Sequence, residues 1–204
     1  KQLSVVAATF LEFLHHLPFY GLAVMCLDDP NVCDVLPQIT RQVRTYGIES
    51  EDADIRAVDV RQDGQQMHFV VKQAGHTPLP VVLNLPGHHN VLNALAAIAV
   101  ARELEIDDAS LQRALQTFAG IGRRFQMNGE IDLQGGSVLF VDDYGHHPRE
   151  IAATLAAVRS GWPERRLVTV FQPHRYSRTR DLFDDFSNVL SECDVLVLTE
   201  VYAA

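Results

Sequence analysis

The stretch Ser137–Pro148, SVLFVDDYGHHP, decides how the second half of the chain folds. Val138–Val141 is a short apolar run, β-branched or aromatic at three positions, as a buried strand requires. Asp142, Asp143, Tyr144, Gly145, His146 and His147 follow as a polar loop. Pro148 suits the first position of a helix, where a missing N–H costs nothing. The order is strand, loop, helix. In open α/β sheets, ligands bind beyond the carboxyl ends of strands, where such loops lie. Two acids, a phenol and two imidazoles there predict a site. The plainer alternative is that Asp143 only caps the helix and His147 is only solvated.

From Gly129 onward the pattern is β-β-α-β-α-β. Strands are predicted at Glu130–Leu133, Val138–Val141, Leu167–Phe171 and Val195–Thr199, with helices at Pro148–Ser160 and Thr179–Leu190. The last three strands read as parallel, joined by right-handed crossovers. The first half is different. Lys1–Leu17 puts Leu3, Val6, Ala7, Phe10, Leu14 and Leu17 on one helix face, and Pro18 ends it. Strands are expected at Leu22–Leu27 and Val43–Tyr46, with a short helix at Asn31–Leu36 between them. Ile55–Val60, Met67–Gln73 and Pro80–Leu85 read as an antiparallel meander on the side of the domain. His88–Ala101 is an Ala- and Leu-rich helix, and Ala109–Phe118 a second, started by the Asp107-Asp108 cap. A domain boundary is placed near Phe125.

The formal charge is −9, which argues against a nucleic-acid or anionic-membrane surface but leaves room for a local anion pocket. Cys26, Cys33 and Cys193 are few and widely spaced, so neither a disulfide framework nor a zinc ribbon is indicated, and a reducing compartment fits. The opening segment carries Glu12, His15 and His16 and is neither a signal peptide nor a membrane span. A start at Lys1 and a stop just after a strand suggest a piece of a longer protein.

Gln172–Arg180, QPHRYSRTR, follows the second parallel strand. His174, Arg175 and Arg178 there sit beside a helix start, which attracts anions through its free N–H groups. An arginine fork matches carboxylate or phosphate, and one charged hydrogen bond contributes roughly 1.5–3 kcal/mol. Arg180 is read as a surface residue paired with Asp184 one turn on. Adjacent parallel strands would bring Asp143, Tyr144 and His146 near His174, Arg175 and Arg178. Acid, imidazole and guanidinium around one anion describe a binding and transfer site, not a hydrolytic triad. His89 and Asn93 share a helix face, with Asn90 near the helix start. Amides and imidazole suit an adenine edge, although Asn at a helix start is often a cap. Arg124 could reach a phosphate or make a domain-interface ion pair. The only lysines are Lys1 and Lys72, and neither follows Gly, so no GxxxxGK[ST] loop lies in this stretch.

PGHHNVLNALAAIAVA (Pro86–Ala101), GRRF (Gly122–Phe125), VDDYGHHPREI (Val141–Ile151) and FQPHRYSRTRDLFDDF (Phe171–Phe186) together resemble the Mur ligases, with HLPFYGLAVMCLDDP (His16–Pro30) and the terminal EVYAA in support. The resemblance implies an α/β fold: residues 1–125 as the back part of a central ATPase domain, its phosphate loop absent, and residues 126–204 as the front part of a Rossmann-like C-terminal domain. It also implies a cytoplasmic ATP-dependent ligase of peptidoglycan precursor synthesis, serving cell-wall growth, shape and division. The lactyl carboxylate of UDP-N-acetylmuramate would take the γ-phosphoryl group of ATP, and L-alanine would attack the acyl phosphate. Mg2+ would bridge the phosphates, on ligands outside this chain.

Carried over, His89, Asn90 and Asn93 would contact adenine, Arg124 the ATP phosphates and Asp143 the ribose. Tyr144, His146, His174, Arg175 and Arg178 would line the carboxylate, amino-acid and γ-phosphate region, with His146, His174, Arg175 and Arg178 taking part in catalysis. The partners implied are small molecules and the missing N-terminal part of the same protein, with neither nucleic acid nor membrane. A ligase that recycles a tripeptide onto the same sugar and a non-catalytic nucleotide-binding module are the alternatives.

Overall fold

Leu22–Cys26 (β1) and Gln42–Gly47 (β2) pair in parallel, Leu22 opposite Gln42 and Cys26 opposite Tyr46, in a computed structural model that describes residues 2–203. Between them run a short helix, Pro30–Val35 (α2), and one 3-10 turn, Leu36–Gln38. Asp29 caps α2 by accepting from the Asn31 N–H at 2.8 Å. Asp28 accepts from the amides of Ile48 (2.7 Å) and Ser50 (3.0 Å) and so ties the end of β1 to the turn after β2. A Cβ at Gly47 would meet Asp28 Oδ1 at 2.5 Å, so only glycine fits beneath that carboxylate.

Ile55–Asp63 (β3) pairs in parallel with β2, Tyr46 opposite Ile55. Gln66–Gln73 (β4) returns through a two-residue turn at Gly64, which has a left-handed φ of 53°. Leu79–Leu83 (β5) completes one five-stranded sheet in the order β1-β2-β3-β4-β5. The expected side meander is therefore the continuation of the parallel sheet. Alternation marks strands with one buried face; it does not say that Ile55 and Ala57, 0% and 1% exposed, belong to the main core.

The first helix is Gln2–His15 (α1); Lys1 and the side chain of Leu3 lie outside the described residues. Its packed face is Ala7, Leu11 and Leu14, set against Ala23, Met25 and Val35. Val6 and Phe10, expected on that face, are exposed, so the stripe is rotated by about one residue. His88–Glu103 (α3) buries Val91, Ala94, Leu95, Ile98 and Ala99, the spacing of one helix face. Asp108–Thr117 (α4) follows, and Asp107 caps it through the Ser110 N–H at 2.9 Å.

Two compact units result. The first holds Lys1–Arg61, His68–Leu83 and His89–Thr117; the second holds Gln62–Met67, Asn84–His88 and Phe118–Ala204. In the second, Gln126–Leu133 (β6) and Gly136–Asp142 (β7) form an antiparallel hairpin, Gln126 opposite Asp142. Pro148–Gly161 (α5), Val168–Phe171 (β8), Tyr176–Asp181 (α6), Phe183–Leu190 (α7) and Val195–Leu198 (β9) follow. β8 and β9 are parallel, Val168 opposite Val195. Their core is Ile151, Leu155, Phe171, Phe186, Val189 and Leu190.

Three expectations are corrected here. Among the described residues β7 pairs with β6 alone and β8 with β9 alone, so no ladder joins the strands ending at Val141 and Phe171. An apolar run signals a strand without naming its neighbour. The helix expected from Thr179 begins three residues earlier and breaks at Leu182, whose φ of −118° is not helical. The break leaves Phe186 in the core and Phe183 exposed. Arg180 pairs with its neighbour Asp181 at 2.8 Å rather than with Asp184.

Candidate functional site

β7 delivers Asp142 and Asp143 to the loop before α5. Asp143 Oδ2 accepts from the Phe125 N–H at 2.8 Å and Oδ1 from the Gly145 N–H at 2.7 Å. It pins the loop to the GRRF segment and does not cap the helix. The cap is His147, whose Nδ1 accepts from the Arg149 N–H at 3.3 Å, so His147 is engaged rather than merely solvated. A Cβ at Gly145 would stand 2.7 Å from Asp143 Oδ1.

Glu150 closes the capping box and does more. Its Oε2 accepts from the amides of His146 (2.9 Å) and His147 (3.1 Å), and its Oε1 lies 3.5 Å from Arg124 Nη1. Partial burial raises the Glu150 pKa, but the two N–H groups and the electrostatic pull of the neighbouring His146 and Arg124 side chains outweigh burial and hold the carboxyl below its ordinary range. Of the two roles open to Arg124, the ion pair is present, within this unit. Arg124 also lines a cavity of about 410 Å³ with Asn84, Pro86, Gly120 and Phe125.

The GRRF segment is strained. Arg123 and Phe125 have φ values of 60° and 46°. The Tyr144 N–H donates to the Arg123 carbonyl at 2.6 Å, and the Tyr144 ring lies 4.7 Å from the Arg123 guanidinium carbon and 5.9 Å from that of Arg124. Phe125, 5% exposed, stacks on Trp162. His146 lies edge-on to Tyr144, with Nδ1 3.0 Å from the Tyr144 carbonyl. A carbonyl only accepts, so this contact assigns the proton to Nδ1 and leaves Nε2 as the acceptor of the neutral ring.

The corner after β8 is built differently. The Arg175 N–H donates to the Tyr202 carbonyl at 3.0 Å, and the Tyr202 N–H to the Pro173 carbonyl at 2.8 Å. The His174 ring stacks on Tyr202 with centroids 5.5 Å apart. Arg175 adopts φ 72° and opens α6, so Arg178 lies on a helix and not in a loop. Arg178 Nη1 donates to the His146 carbonyl at 3.4 Å. That contact brings the two corners together although their strands do not pair. Asp143, Tyr144, His146 and Arg124 thus form one connected group, with Arg178 reaching in from the corner that holds His174 and Arg175. His89, Asn90 and Asn93 lie in the first unit, within the first two turns of α3, where Asn93 Nδ2 donates to Asn90 Oδ1 at 3.3 Å. α3 begins at His88, so Asn90 is inside the helix rather than at its cap.

Glu150, Arg123 and Tyr202 were not among the expected site residues. The acid three places after His147 was the available signal for Glu150. Tyr202 lies nearly thirty residues from the corner it braces, and no local pattern marks such a contact. Among the described residues no group of three His, Cys, Asp or Glu side chains could hold a metal ion, and no helix is long and apolar enough to cross a membrane.

Residues 1–101 match the Mur ligase middle domain, and residues 123–203 the Mur ligase, glutamate ligase domain. The UDP-N-acetylmuramate-alanine ligase MurC of Thermotoga maritima is 30% identical with a TM-score of 0.71, over 89% of this chain and 38% of that one. A murein peptide ligase of Psychrobacter arcticus is 22% identical (TM-score 0.62, 97% and 47%). The MurF ligase of Thermotoga maritima, in complex with ADP, is 20% identical (0.72, 94% and 43%). The last two likenesses are of fold. The chain spans less than half the length of each of these proteins. With its two segments matching the family's middle and C-terminal domains in order, the chain belongs to the Mur ligase family.

Proposed function

We propose that this chain is part of a cytoplasmic ligase that uses ATP and Mg2+ to join L-alanine to the lactyl carboxylate of UDP-N-acetylmuramate through an acyl phosphate, in peptidoglycan precursor synthesis. The observation that carries the reading is the Arg178–His146 contact. It joins the loop of Tyr144 and His146 to the corner and helix start that carry His174, Arg175 and Arg178, in a chain of net charge −9, a local basic cluster suited to an anionic intermediate. Arg175 and Arg178 hold the phosphorylated carboxylate by charge-assisted hydrogen bonds. His146 Nε2 takes a proton from the alanine ammonium, the amine so freed adds to the acyl carbon and phosphate leaves with the C–O electron pair, while Nδ1–H stays on the Tyr144 carbonyl. His174 is held by its stack on Tyr202 and lines the amino-acid side. Arg124 contacts the nucleotide phosphates from the cavity it lines, with Asp143 at the ribose and His89, Asn90 and Asn93 at adenine.

The domains divide as residues 1–125 and 126–204. The Mg2+ ligands and the phosphate loop lie outside this chain, so no step assigned to these residues passes through the metal. Supplying the intact protein with UDP-N-acetylmuramate, ATP and equal L-alanine and tripeptide tests the reading. The expected product carries alanine; a tripeptide product assigns the recycling reaction instead. The isolated 204-residue chain is expected to be inactive, and turnover by it overturns the assignment of essential residues upstream.

A further inference from the structure

A second cavity, of about 470 Å³, lies wholly in the first unit, where β3 and β5 begin and β4 ends. Arg44, Arg56, Lys72 and His76 line it, with Asp52 and Asp54. None of the residues assigned to ligation is among them. Three permanent cations outnumber the two carboxylates there, and among the described residues no ion pair joins them. Asp54 is committed: its Oδ2 accepts from the Thr45 N–H at 2.8 Å and the Thr45 hydroxyl at 2.9 Å. Asp52 is exposed and forms no ion pair with Arg44, Arg56 or Lys72. Arg44 and Arg56 are half-buried, and the Arg56 Nε is buried with no hydrogen-bond partner.

A buried guanidinium N–H without an acceptor costs on the order of 1–3 kcal/mol, more for a charged group. A chain with nine more acids than bases has carboxylates to spare, yet neither Asp52 nor Asp54 forms an ion pair with these three cations. The two arginines are also better shielded from water than Asp52, so their field in the cavity outweighs its own. The volume is that of a small-molecule site.

We infer that this cavity binds a compact polyanion bearing phosphate or carboxylate groups, held by Arg44, Arg56 and Lys72, at a place separate from the ligation residues. The inference does not depend on the ligase reading. Inorganic pyrophosphate and citrate, titrated separately at low ionic strength into the isotope-labelled intact protein, test it and distinguish the two anion chemistries. Saturable amide shifts at Arg44, Arg56 and Lys72 are expected with at least one probe. The double variant R56Q/K72Q is expected to weaken that binding roughly tenfold or more, and R175Q/R178Q to leave it unchanged. Because Arg56 is half-buried, R44Q/K72Q serves as a second variant with the same expected weakening. Absence of saturable shifts at these residues with both probes, or binding unaffected in both cavity variants, overturns the inference. So does binding that disappears with R175Q/R178Q.

Discussion

Glu150 is the residue on which the loop most depends, since one carboxylate accepts two amides and faces an arginine. Glu150→Gln keeps the shape and removes the charge. We expect the intact ligase to lose at least about tenfold in kcat/KM, with roughly 1 kcal/mol of stability lost in urea titration. The folded carboxyl sits below its ordinary range, so its contribution is complete above that range and lost as pH falls through it. Asp194 follows the same sign with a stated window. It accepts from the Leu167 N–H at 2.6 Å and from both terminal nitrogens of Arg159, at 2.9 and 3.0 Å, and the Arg159 hydrogen bond is the main cause that takes its pKa from 3.8 to about 2. A carboxylate titration followed by NMR should show that midpoint, with its contribution complete above pH 3.8 and lost towards pH 2. At Gly145, Ala would press on Asp143, and Gly145→Ala should destabilise by about 1–3 kcal/mol. His146, Arg175 and Arg178 were legible as chemistry because their types are unusual in a loop. Glu150 was not, because Pro-Arg-Glu after a loop reads as an ordinary helix start.

α7 shows how a periodic pattern can be right about a helix and wrong about its face. Phe183 and Phe186 are three apart and look equivalent in sequence, yet the break at Leu182 turns one outward. Phe186→Ala should cost about 3–5 kcal/mol and Phe183→Ala less than about 0.5, measured by thermal unfolding. A small difference between the two would show that the helix does not break there. The helices α4 and α5 were readable because a helix-start signal, Asp107 or Pro148, agrees with the apolar spacing, and α3 from its apolar spacing alone. The β3–β4–β5 segment was readable as strands but not as part of the main sheet. Its attachment depends on Asp28 and Asp54 fixing the β2–β3 turn, contacts that join residues 9 to 22 positions apart. The partner of β7 was misread for the same reason: pairing is a relation between strands, while pattern is a property of one.

Each unit has apolar packing of its own, with Ala23, Met25 and Val35 buried together in the first and Leu155, Phe171 and Phe186 in the second. Trp162 is the only tryptophan and stacks on Phe125 in the second unit. Leu155→Ala should therefore lower the midpoint of the tryptophan-detected transition by more than that seen by far-UV circular dichroism, the cost being about 2–5 kcal/mol in that core. Coincident midpoints would mean the two units melt together. Cleavage of the native chain by a trace of protease is expected between Thr117 and Arg123, where the units divide. The family and the α/β class could be read from four motifs; the division into units could not, since the second one takes in the β3–β4 tip and residues 84–88. Tyr202 adds a question of timing. Arg175 has no amide acceptor, and His174 no stacking partner, until the 202nd residue has been synthesised. During translation the arginine corner therefore emerges before it can take shape, and a nascent chain that stops short of Tyr202 would carry the charges of the site without their arrangement.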